Sequence, residues 1–284
     1  MDYKFWVNDF DRVKDHRKKF QNVAEIFKYP VSFWYSRPSK NLRYSIERLL
    51  ARAHPGLPVI VIYNLPDRDI GQYSAGGAKT MEDYILFVNE ISLGIGSREP
   101  IVIFEPDALP HCNEMSEGEK KERMVAMATA IGVISDTCNA KIYLDIGNSL
   151  WLDPEAAGNL INSVMDLNPI DTNVRGFSVN VSNYRTTEES MEWALEVGRC
   201  TKFNHFVIDT SRNGRGPFGQ DWCNPPGRGL GTPPTTNTGH DLCDAFLWIK
   251  IPGESDGQCN GGPRAGKFWP EYANTLVENT YWIN

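Results

Sequence analysis

The stretch IVIFEPDALP, residues 101–110, places four strongly apolar residues directly before a glutamate and an aspartate that flank a proline. Such a run is typical of a buried strand that leaves the core into a turn, where a carboxylate is usually solvated. The same pattern recurs along the chain. A chain that repeatedly ends buried strands in carboxylates is expected to use those carboxylates together.

Seven short apolar runs follow one another along the chain. They are VSFWY, PVIVIYN, IVIFEPD, KIYLDIGN, GFSVNVSN, HFVIDTSRN and AFLWIKIPGESD. Most segments between them have the periodicity of amphipathic helices, as in residues 41–53, 80–95 and 120–138. Apolar strands that alternate with helices indicate a parallel sheet covered on its outside. Because no GxGxxG motif follows the first strand, the pattern predicts a closed or nearly closed, distorted seven-stranded β/α barrel rather than a dinucleotide-binding sheet.

The bulk composition narrows the classes of function. The chain has 284 residues, of which 41% are hydrophobic and 23% charged, and no linker is visible, so we expect a single domain over residues 1–284. A net charge of -7 argues against nucleic acid as a partner. The apolar runs are far shorter than the roughly 20 residues that span a bilayer. Residues 1–20 lack the apolar core of a signal peptide, which leaves a cytosolic and a mature secreted protein open.

In β/α barrels the active site lies at the carboxyl ends of the strands, so the residues that follow each run are expected to share one rim. These residues are mostly carboxylates, cations and aromatic side chains. They are Tyr63, Arg68, Asp69, Glu105, Asp107, Asp145, Trp151, Asp209, Arg212, Lys250, Glu254 and Asp256, with Trp34 and Trp222 available beside them.

Two chemistries use a ring of carboxylates. A pair with different pKa values cleaves glycosidic bonds, and flat aromatic side chains are surfaces on which pyranose rings pack. The same ring could hold Mg²⁺ or Mn²⁺, although cations on the same rim would compete with a metal ion. Each carboxylate could also simply pair with one of those cations, an alternative that is strongest for Asp209 and weaker for Asp107 and Asp256.

Eight ordered motifs carry a more specific signal. They are YNLPDRD, EPD, YLDIGNSLW, NVSNY, IDTSRNG, DWCNPPGRGLG, TNTG and LWIKIPGESDG, which lie between residues 63 and 257. Together they resemble glycoside hydrolase family 6, the inverting cellulases. The resemblance covers nearly the whole chain. It implies cleavage of β-1,4-glucosidic bonds in cellulose or related β-glucans by single displacement, without a metal or an organic cofactor.

The resemblance also implies roles for individual residues. Asp107 matches the general acid, and Asp69 matches the aspartate that raises the pKa of the acid and relays a proton from water. Asp256 matches the usual candidate for the base, whose identity is unsettled in the family. Tyr63 matches the residue that favours distortion of the sugar ring. The positions that resemble sugar-binding residues are Trp34, Trp151, Trp222, Asn183, Lys250 and Glu254, and the network that orients the acid pair matches Asp145, Arg68 and Arg212.

Three positions depart from the family pattern. Ile70 stands where a cysteine usually follows the aspartate matched by Asp69, so one disulfide is lost. Asn148 replaces a histidine. The serine that helps to hold the attacking water aligns with Ala75, although a shift of one residue would bring Ser74 to that position.

Of the six cysteines, Cys223 and Cys259 lie in loops rich in glycine and proline, where unbridged thiols would be exposed. The family resemblance implies that these two form a disulfide, the one that remains after the loss at Ile70, and a disulfide implies an oxidising compartment. The resemblance therefore indicates a secreted, extracellular enzyme, and we expect it to be a monomer. In the processive members of the family, long insertions after the motifs matched by YNLPDRD and PGESDG close over the cleft. Both loops are short here, so the resemblance implies an open cleft and endo action. A cellobiohydrolase and a catalytically weak carbohydrate-binding relative remain as alternatives.

Overall fold

Seven parallel strands form one sheet in the computed structural model, which describes residues 3–8, 20–168 and 172–282. The seven apolar runs predicted as strands all contribute to it, in sequence order from one edge to the other. The strands are β1 (Phe33–Tyr35), β2 (Val59–Ile62), β3 (Ile101–Phe104), β4 (Lys141–Asp145), β5 (Val174–Val179), β6 (His205–Asp209) and β7 (Cys243–Leu247). The predicted α/β class and the seven parallel strands are thus confirmed.

The sheet curls into a half-barrel whose first and last strands come together without a regular ladder. β1 pairs only with β2, and β7 only with β6, among the described strands. The gap is crossed by single hydrogen bonds. The backbone N–H of Ser32 donates to the carbonyl oxygen of Trp248 at 3.2 Å, and the indole N–H of Trp34 donates to that of Ile249 at 2.8 Å. The two edge strands of the half-barrel are therefore linked by a few hydrogen bonds and not by a strand ladder.

Helices cover the outside of the curled sheet. Among the described residues they are α1 (Leu42–Ala53), α2 (Met81–Ile95), α3 (Glu117–Thr137), α4 (Pro154–Met165), α5 (Thr187–Arg199) and α6 (Pro270–Glu278), with 3-10 helices at Gln21–Lys28, Asp69–Gly71 and Pro110–Glu114. Side chains fix several helix starts. Ser116 and Glu119 form a reciprocal capping box at α3, and Thr186 accepts a hydrogen bond from the backbone of Glu189 at α5.

Alternate residues of the strands point to opposite faces of the sheet, which separates two apolar cores. On β2, Ile60 and Ile62 pack outward against the helices, whereas Val59 and Val61 pack into the barrel interior. Strands buried on both faces must be apolar throughout, and this explains the continuous runs in the sequence. A third cluster, which includes Trp248, lies under α6.

The backbone turns sharply where the strands end. Glu105 and Asp107 after β3, and Asn180 and Ser182 after β5, all have positive φ angles, between 48° and 68°. Non-glycine residues seldom adopt this left-handed conformation, and such residues cluster at functional sites. The loops at this edge of the sheet are therefore held in one conformation by their surroundings.

No helix in the described part of the chain is both long enough and apolar enough to cross a membrane. The predicted single domain over residues 1–284 stays a prediction. Residues 210–242, all of them described, connect β6 to β7 without a helix. This long connection supplies one wall of the cavity described below.

The predicted disulfide between Cys223 and Cys259 is present, and the other four cysteines are free. It joins the connection between β6 and β7 to the loop that follows β7. The side chain of Asn224 strengthens the junction, since its amide donates to the carbonyl oxygen of Gly257 at 2.9 Å. The bridge therefore fixes the loop that carries Asp256.

The bridge closes a segment with a sequence separation of 36 residues. The chain-entropy model gives such a crosslink about 4 kcal/mol of stabilisation, so replacing both Cys223 and Cys259 by serine is expected to lower the free energy of unfolding by roughly that amount. Thiol titration of the unfolded, unreduced protein should find the four free cysteines. Six free thiols would contradict the bridge.

Candidate active site

A cavity of about 400 Å³ lies at the edge of the sheet where the strands end. Most of the side chains predicted as site residues line it. They are Trp34, Tyr63, Asp69, Asp107, Trp151, Asn183, Trp222, Lys250 and Asp256. Polar residues that follow different strands in the sequence thus lie together in one cavity, as expected at the carboxyl ends of the strands of a β/α barrel.

Four other predicted residues are not among those that line the cavity. Asp145, Arg68 and Arg212 lie behind its wall and contact residues that do line it. Glu254 is half-buried, and its backbone forms an isolated bridge with Phe268. Glu254 is not among the residues that line the cavity, and its sugar-binding role stays a prediction.

Asp107 lines the cavity just after β3, and Asp145 at the end of β4 holds it there. The carboxylate of Asp145 accepts a hydrogen bond from the backbone N–H of Asp107 at 2.9 Å. Burial raises the pKa of the Asp107 carboxyl well above its usual range, and the nearby carboxylates of Asp145 and Asp69 raise it further. Asp107 therefore holds its proton at a pH where a solvated aspartate would have lost it.

Asp145 is itself fully buried and tightly bound. Besides the Asp107 backbone, the N–H of Gly147 (3.2 Å) and the hydroxyl of Ser178 (3.0 Å) donate to its carboxylate. Burial raises the pKa of Asp145 to about 7, and these hydrogen bonds oppose the rise. Asp145 thus fixes the backbone that carries the candidate acid and adds to the negative charge near it.

Asp69 enters the cavity from the loop after β2, in a left-handed backbone conformation (φ 62°). Its carboxylate accepts a hydrogen bond from the backbone N–H of Ser74 at 2.6 Å. Burial raises its pKa above the usual range, against the effect of that hydrogen bond. Ser74 also lines the cavity, whereas Ala75 lines a separate pocket. The one-residue shift considered from the sequence therefore fits the position of Ser74.

Arg68 supports this loop from behind. Its guanidinium packs over the ring of Tyr63, with the Cζ atom 4.5 Å from the ring centroid, and donates to the carbonyl oxygens of Ser36 (2.8 Å) and Ser74 (3.1 Å). Tyr63 in turn meets Trp34 edge to face, with the ring centroids 5.4 Å apart. Arg68 thereby ties the loop of Asp69 to the two aromatic side chains at this end of the cavity.

Asp256 has the opposite electrostatic environment from Asp107. Arg212 lies 2.9 Å and Lys250 3.2 Å from its carboxylate, and the backbone N–H of Asn224 donates to it at 3.0 Å. The hydroxyl of Tyr184 donates at 3.2 Å. Burial alone would raise the pKa of Asp256, but the two cations and the hydrogen bonds hold it below the usual value. Asp256 is therefore ionised, with both oxygens engaged.

Glu105 and Asp209 are fully buried carboxylates that bind backbone amides instead of facing the cavity. Glu105 accepts from the N–H groups of Asn64 and Leu65, each at 3.1 Å. Asp209 accepts from several loop amides, including that of Lys250 at 2.9 Å. Both residues were predicted on the rim, where pairing with a cation was the alternative for Asp209. Their main partners are N–H groups of the neighbouring strand ends.

Several residues of the site escaped the sequence analysis. His111 lines the cavity, and Tyr184 and Asn224 hold Asp256 from behind. Asn148, already noted at the position of the family histidine, also lines the cavity. His111 follows Asp107 by four residues, so its place in the first turn after the strand was the available signal. The motifs NVSNY and DWCNPPGRGLG contain Tyr184 and Asn224, but nothing in those motifs pointed to Asp256.

Within residues 3–8, 20–168 and 172–282, no group of three histidine, cysteine, aspartate or glutamate side chains is arranged to hold a metal ion. The cavity instead combines a carboxyl with a raised pKa, an ionised carboxylate paired with cations, and the exposed faces of tryptophan side chains. This set of groups suits the cleavage of a glycosidic bond.

A family model described as glycosyl hydrolases family 6 matches residues 4–280. The chain belongs to this family. Endoglucanase A of Cellulomonas fimi is 40% identical over 79% of this chain and 48% of its own length, and endoglucanase 1 of Streptomyces sp. (strain KSM-9) is 38% identical over 93% of this chain and 73% of its own. The chain thus spans about half the length of the first of these family 6 relatives.

The fold of a solved family 6 structure also matches. The endoglucanase Cel6 from Mycobacterium tuberculosis, in complex with methyl-cellobiosyl-4-deoxy-4-thio-β-D-cellobioside, superposes with a TM-score of 0.89 at 35% identity. The match covers 98% of this chain and 97% of that one. The half-barrel described above is therefore the family 6 fold.

The buried carboxylate of Glu105 makes the stability of this family 6 domain depend on pH. Burial raises its pKa from 4.5 to about 7, so the native state holds a proton that the unfolded chain has released. Stability from this group is present below about pH 4.5 and is lost as the pH rises to about 7, by up to about 3 kcal/mol at roughly 1.4 kcal/mol per pKa unit.

The glutamine of the variant Glu105→Gln cannot ionise. The free energy of unfolding of this variant should therefore depend less steeply on pH between about pH 4.5 and 7. Urea unfolding of both proteins at several pH values measures the two slopes. Asp145 still titrates in the variant, so some slope should remain. Equal slopes in the two proteins would contradict the assigned pKa of Glu105.

Proposed function

We propose that the chain is the catalytic domain of an endo-β-1,4-glucanase, which hydrolyses internal bonds of cellulose or a related β-glucan with inversion at the anomeric carbon. The observation that carries the proposal is the position of Asp107. Its carboxyl has a raised pKa, lines the cavity, and stands beside Asp69 between walls that contain Trp34 and Trp151. A protonated carboxyl in an aromatic cleft suits protonation of a glycosidic oxygen.

In the proposed reaction, Asp107 gives its proton to the oxygen of the departing sugar while the C1–O bond breaks. A water molecule attacks C1 from the opposite face, so the new hydroxyl has the α configuration. In an inverting enzyme the acid and base carboxyls are about 6.5–9.5 Å apart, which leaves room for that water. Tyr63, buried between Trp34 and Arg68, would crowd the sugar at the cleavage point.

The water must also lose a proton. Asp256 is a weak acceptor for it, because Arg212 and Lys250 hold its pKa below the usual value and occupy its oxygens. Asp69 has a raised pKa. We therefore assign Asp69 as the group that accepts the proton of the attacking water, through a second water molecule near Ser74. Asp256 then acts by fixing Lys250 in the cavity wall. Transfer of the proton back to Asp107 restores the resting state.

The remaining side chains of the cavity suit a β-glucan. Trp34, Trp151 and Trp222 offer apolar faces to pyranose rings, and Asn183 and Lys250 offer hydrogen-bond donors to hydroxyl groups. The proposed reaction needs neither a metal nor an organic cofactor. We also propose that the protein is secreted as a monomer, in keeping with the disulfide between Cys223 and Cys259, which persists in oxidising compartments.

Endo action follows from the size of the loops beside the cavity. Residues 63–80 connect β2 to α2, and residues 248–269 connect β7 to α6. The two loops touch where the ring of Tyr73 packs on Gly257, yet Tyr73 remains 50% exposed. Neither loop has additional length with which to enclose a glucan chain in a tunnel. We propose that the enzyme binds in the middle of a chain and releases it after few cuts.

A catalytically weak relative that only binds carbohydrate is the second candidate, since Ala75 and Asn148 depart from the family pattern. The position of Ser74 in the cavity, with its backbone N–H on Asp69, favours the active enzyme, because it supplies a hydroxyl where the attacking water would stand.

Hydrolysis of soluble carboxymethylcellulose tests both candidates. An endoglucanase cuts long chains in the middle, so the viscosity should fall steeply while few reducing ends have formed. Release of cellobiose with nearly unchanged viscosity would indicate a cellobiohydrolase and contradict the open cleft. The absence of new reducing ends from carboxymethylcellulose, barley glucan and xylan would contradict the proposed activity.

A further inference from the structure

His111 stands in the cavity wall in an unusual state for a histidine. It lies in the short 3-10 helix Pro110–Glu114, its side chain is 2% exposed, and it lines the cavity. Its Nδ1 atom is buried and has no hydrogen-bond partner within the described residues. An Oε2 atom of Glu114 lies 3.5 Å from it, too far for a good hydrogen bond.

Two neighbours of His111 are side chains that also line the cavity. The imidazole meets the ring of Trp151 edge to face, with centroids 4.8 Å apart and an interplanar angle of 84°. Glu114 lines the same cavity, and its side chain is 55% exposed, so it can move the short distance to Nδ1. A buried polar atom without a hydrogen-bond partner is unfavourable. If a bound ligand brings Glu114 within hydrogen-bond distance of Nδ1, the free energy of that hydrogen bond adds to the free energy of binding.

The charged groups near the ring are Glu114, Asp69 and Arg123. Burial lowers the pKa of His111 below its usual range, while the carboxylates of Glu114 and Asp69 oppose the shift. The neutral imidazole has one N–H donor and one bare nitrogen that accepts. A carboxylate that accepts a hydrogen bond from Nδ1–H selects the tautomer in which Nε2 is the acceptor.

We propose that His111 and Glu114 are a sugar-binding pair, in which Glu114 accepts the Nδ1–H and Nε2 accepts a hydrogen bond from a hydroxyl of the glucosyl residue that contacts Trp151. The inference rests on the proposed β-glucan substrate and adds a specificity contact to that site. Trp151 supplies a surface that tolerates any pyranose, whereas His111 selects a sugar with a hydroxyl at the right edge of the ring.

Calorimetry with cellopentaose distinguishes a hydrogen-bonding role of His111 from a packing role. The measurements use an Asp107→Asn background, in which hydrolysis is slow. Three replacements of His111 form the comparison. Glutamine places its amide near the position of Nε2, asparagine reaches only that of Nδ1, and phenylalanine keeps a flat ring against Trp151. Glu117→Ala, an exposed carboxylate in the first turn of α3, serves as the control.

We expect His111→Gln to bind within about threefold of the parent. His111→Asn and His111→Phe should bind on the order of 5- to 20-fold more weakly, as expected when one hydrogen bond is lost and its buried partner is left unpaired. Glu114→Ala should weaken binding in the same direction. Undiminished binding by the phenylalanine variant, or equal loss in the glutamine and asparagine variants, would overturn the inference and leave a packing role. If the parent itself binds no cellopentaose, the proposed function is wrong as well.

Discussion

The hydrogen bond from the backbone N–H of Asp107 to the carboxylate of Asp145 is the contact on which the site depends. It belongs to a set of three, because Glu105 and Asp209 bind loop amides at other strand ends in the same way. A parallel sheet leaves its terminal amides without ladder partners, and a buried carboxylate satisfies several at once. These carboxylates fix the loops at the strand ends, and two of the residues whose amides they bind, Asp107 and Ser182, have left-handed backbone conformations.

The same burial decides the protonation of the groups that face the cavity. Asp107 has carboxylates for neighbours and keeps its proton, whereas Asp256 has Arg212 and Lys250 and loses it. Two aspartates that line the same cavity thus differ in charge, because carboxylates surround Asp107 and cations surround Asp256. This separation of pKa values is what acid catalysis of glycosidic cleavage requires near neutral pH. The disulfide between Cys223 and Cys259 also supports this arrangement, because it fixes the loop that carries Asp256.

Sequence patterns predicted the scaffold well, because strands buried on both faces must be continuously apolar and the helices between them must be amphipathic. They also placed Asp107 at the rim. Apolar patterning alone does not separate Asp107 from Glu105, two positions earlier, and it was the family resemblance that marked Asp107 as the acid. Both residues have positive φ angles, and of the two it is Asp107 that lines the cavity. His111 was missed because a 3-10 turn has no apolar periodicity to mark its inward face. The role of Glu254 comes from the family resemblance alone and stays a prediction, because the side chain is not among those that line the cavity.

The central claim is that Asp107 reaches the glycosidic oxygen as a protonated acid, and Asp107→Asn tests it most directly. The variant keeps the size of the side chain but cannot donate the proton. We expect kcat/KM to fall about 10²- to 10⁴-fold on cello-oligosaccharides, the usual contribution of general acid catalysis. A β-cellobioside with a dinitrophenolate leaving group needs little protonation, so its loss should be far smaller. Equal losses on the two substrates would contradict the account.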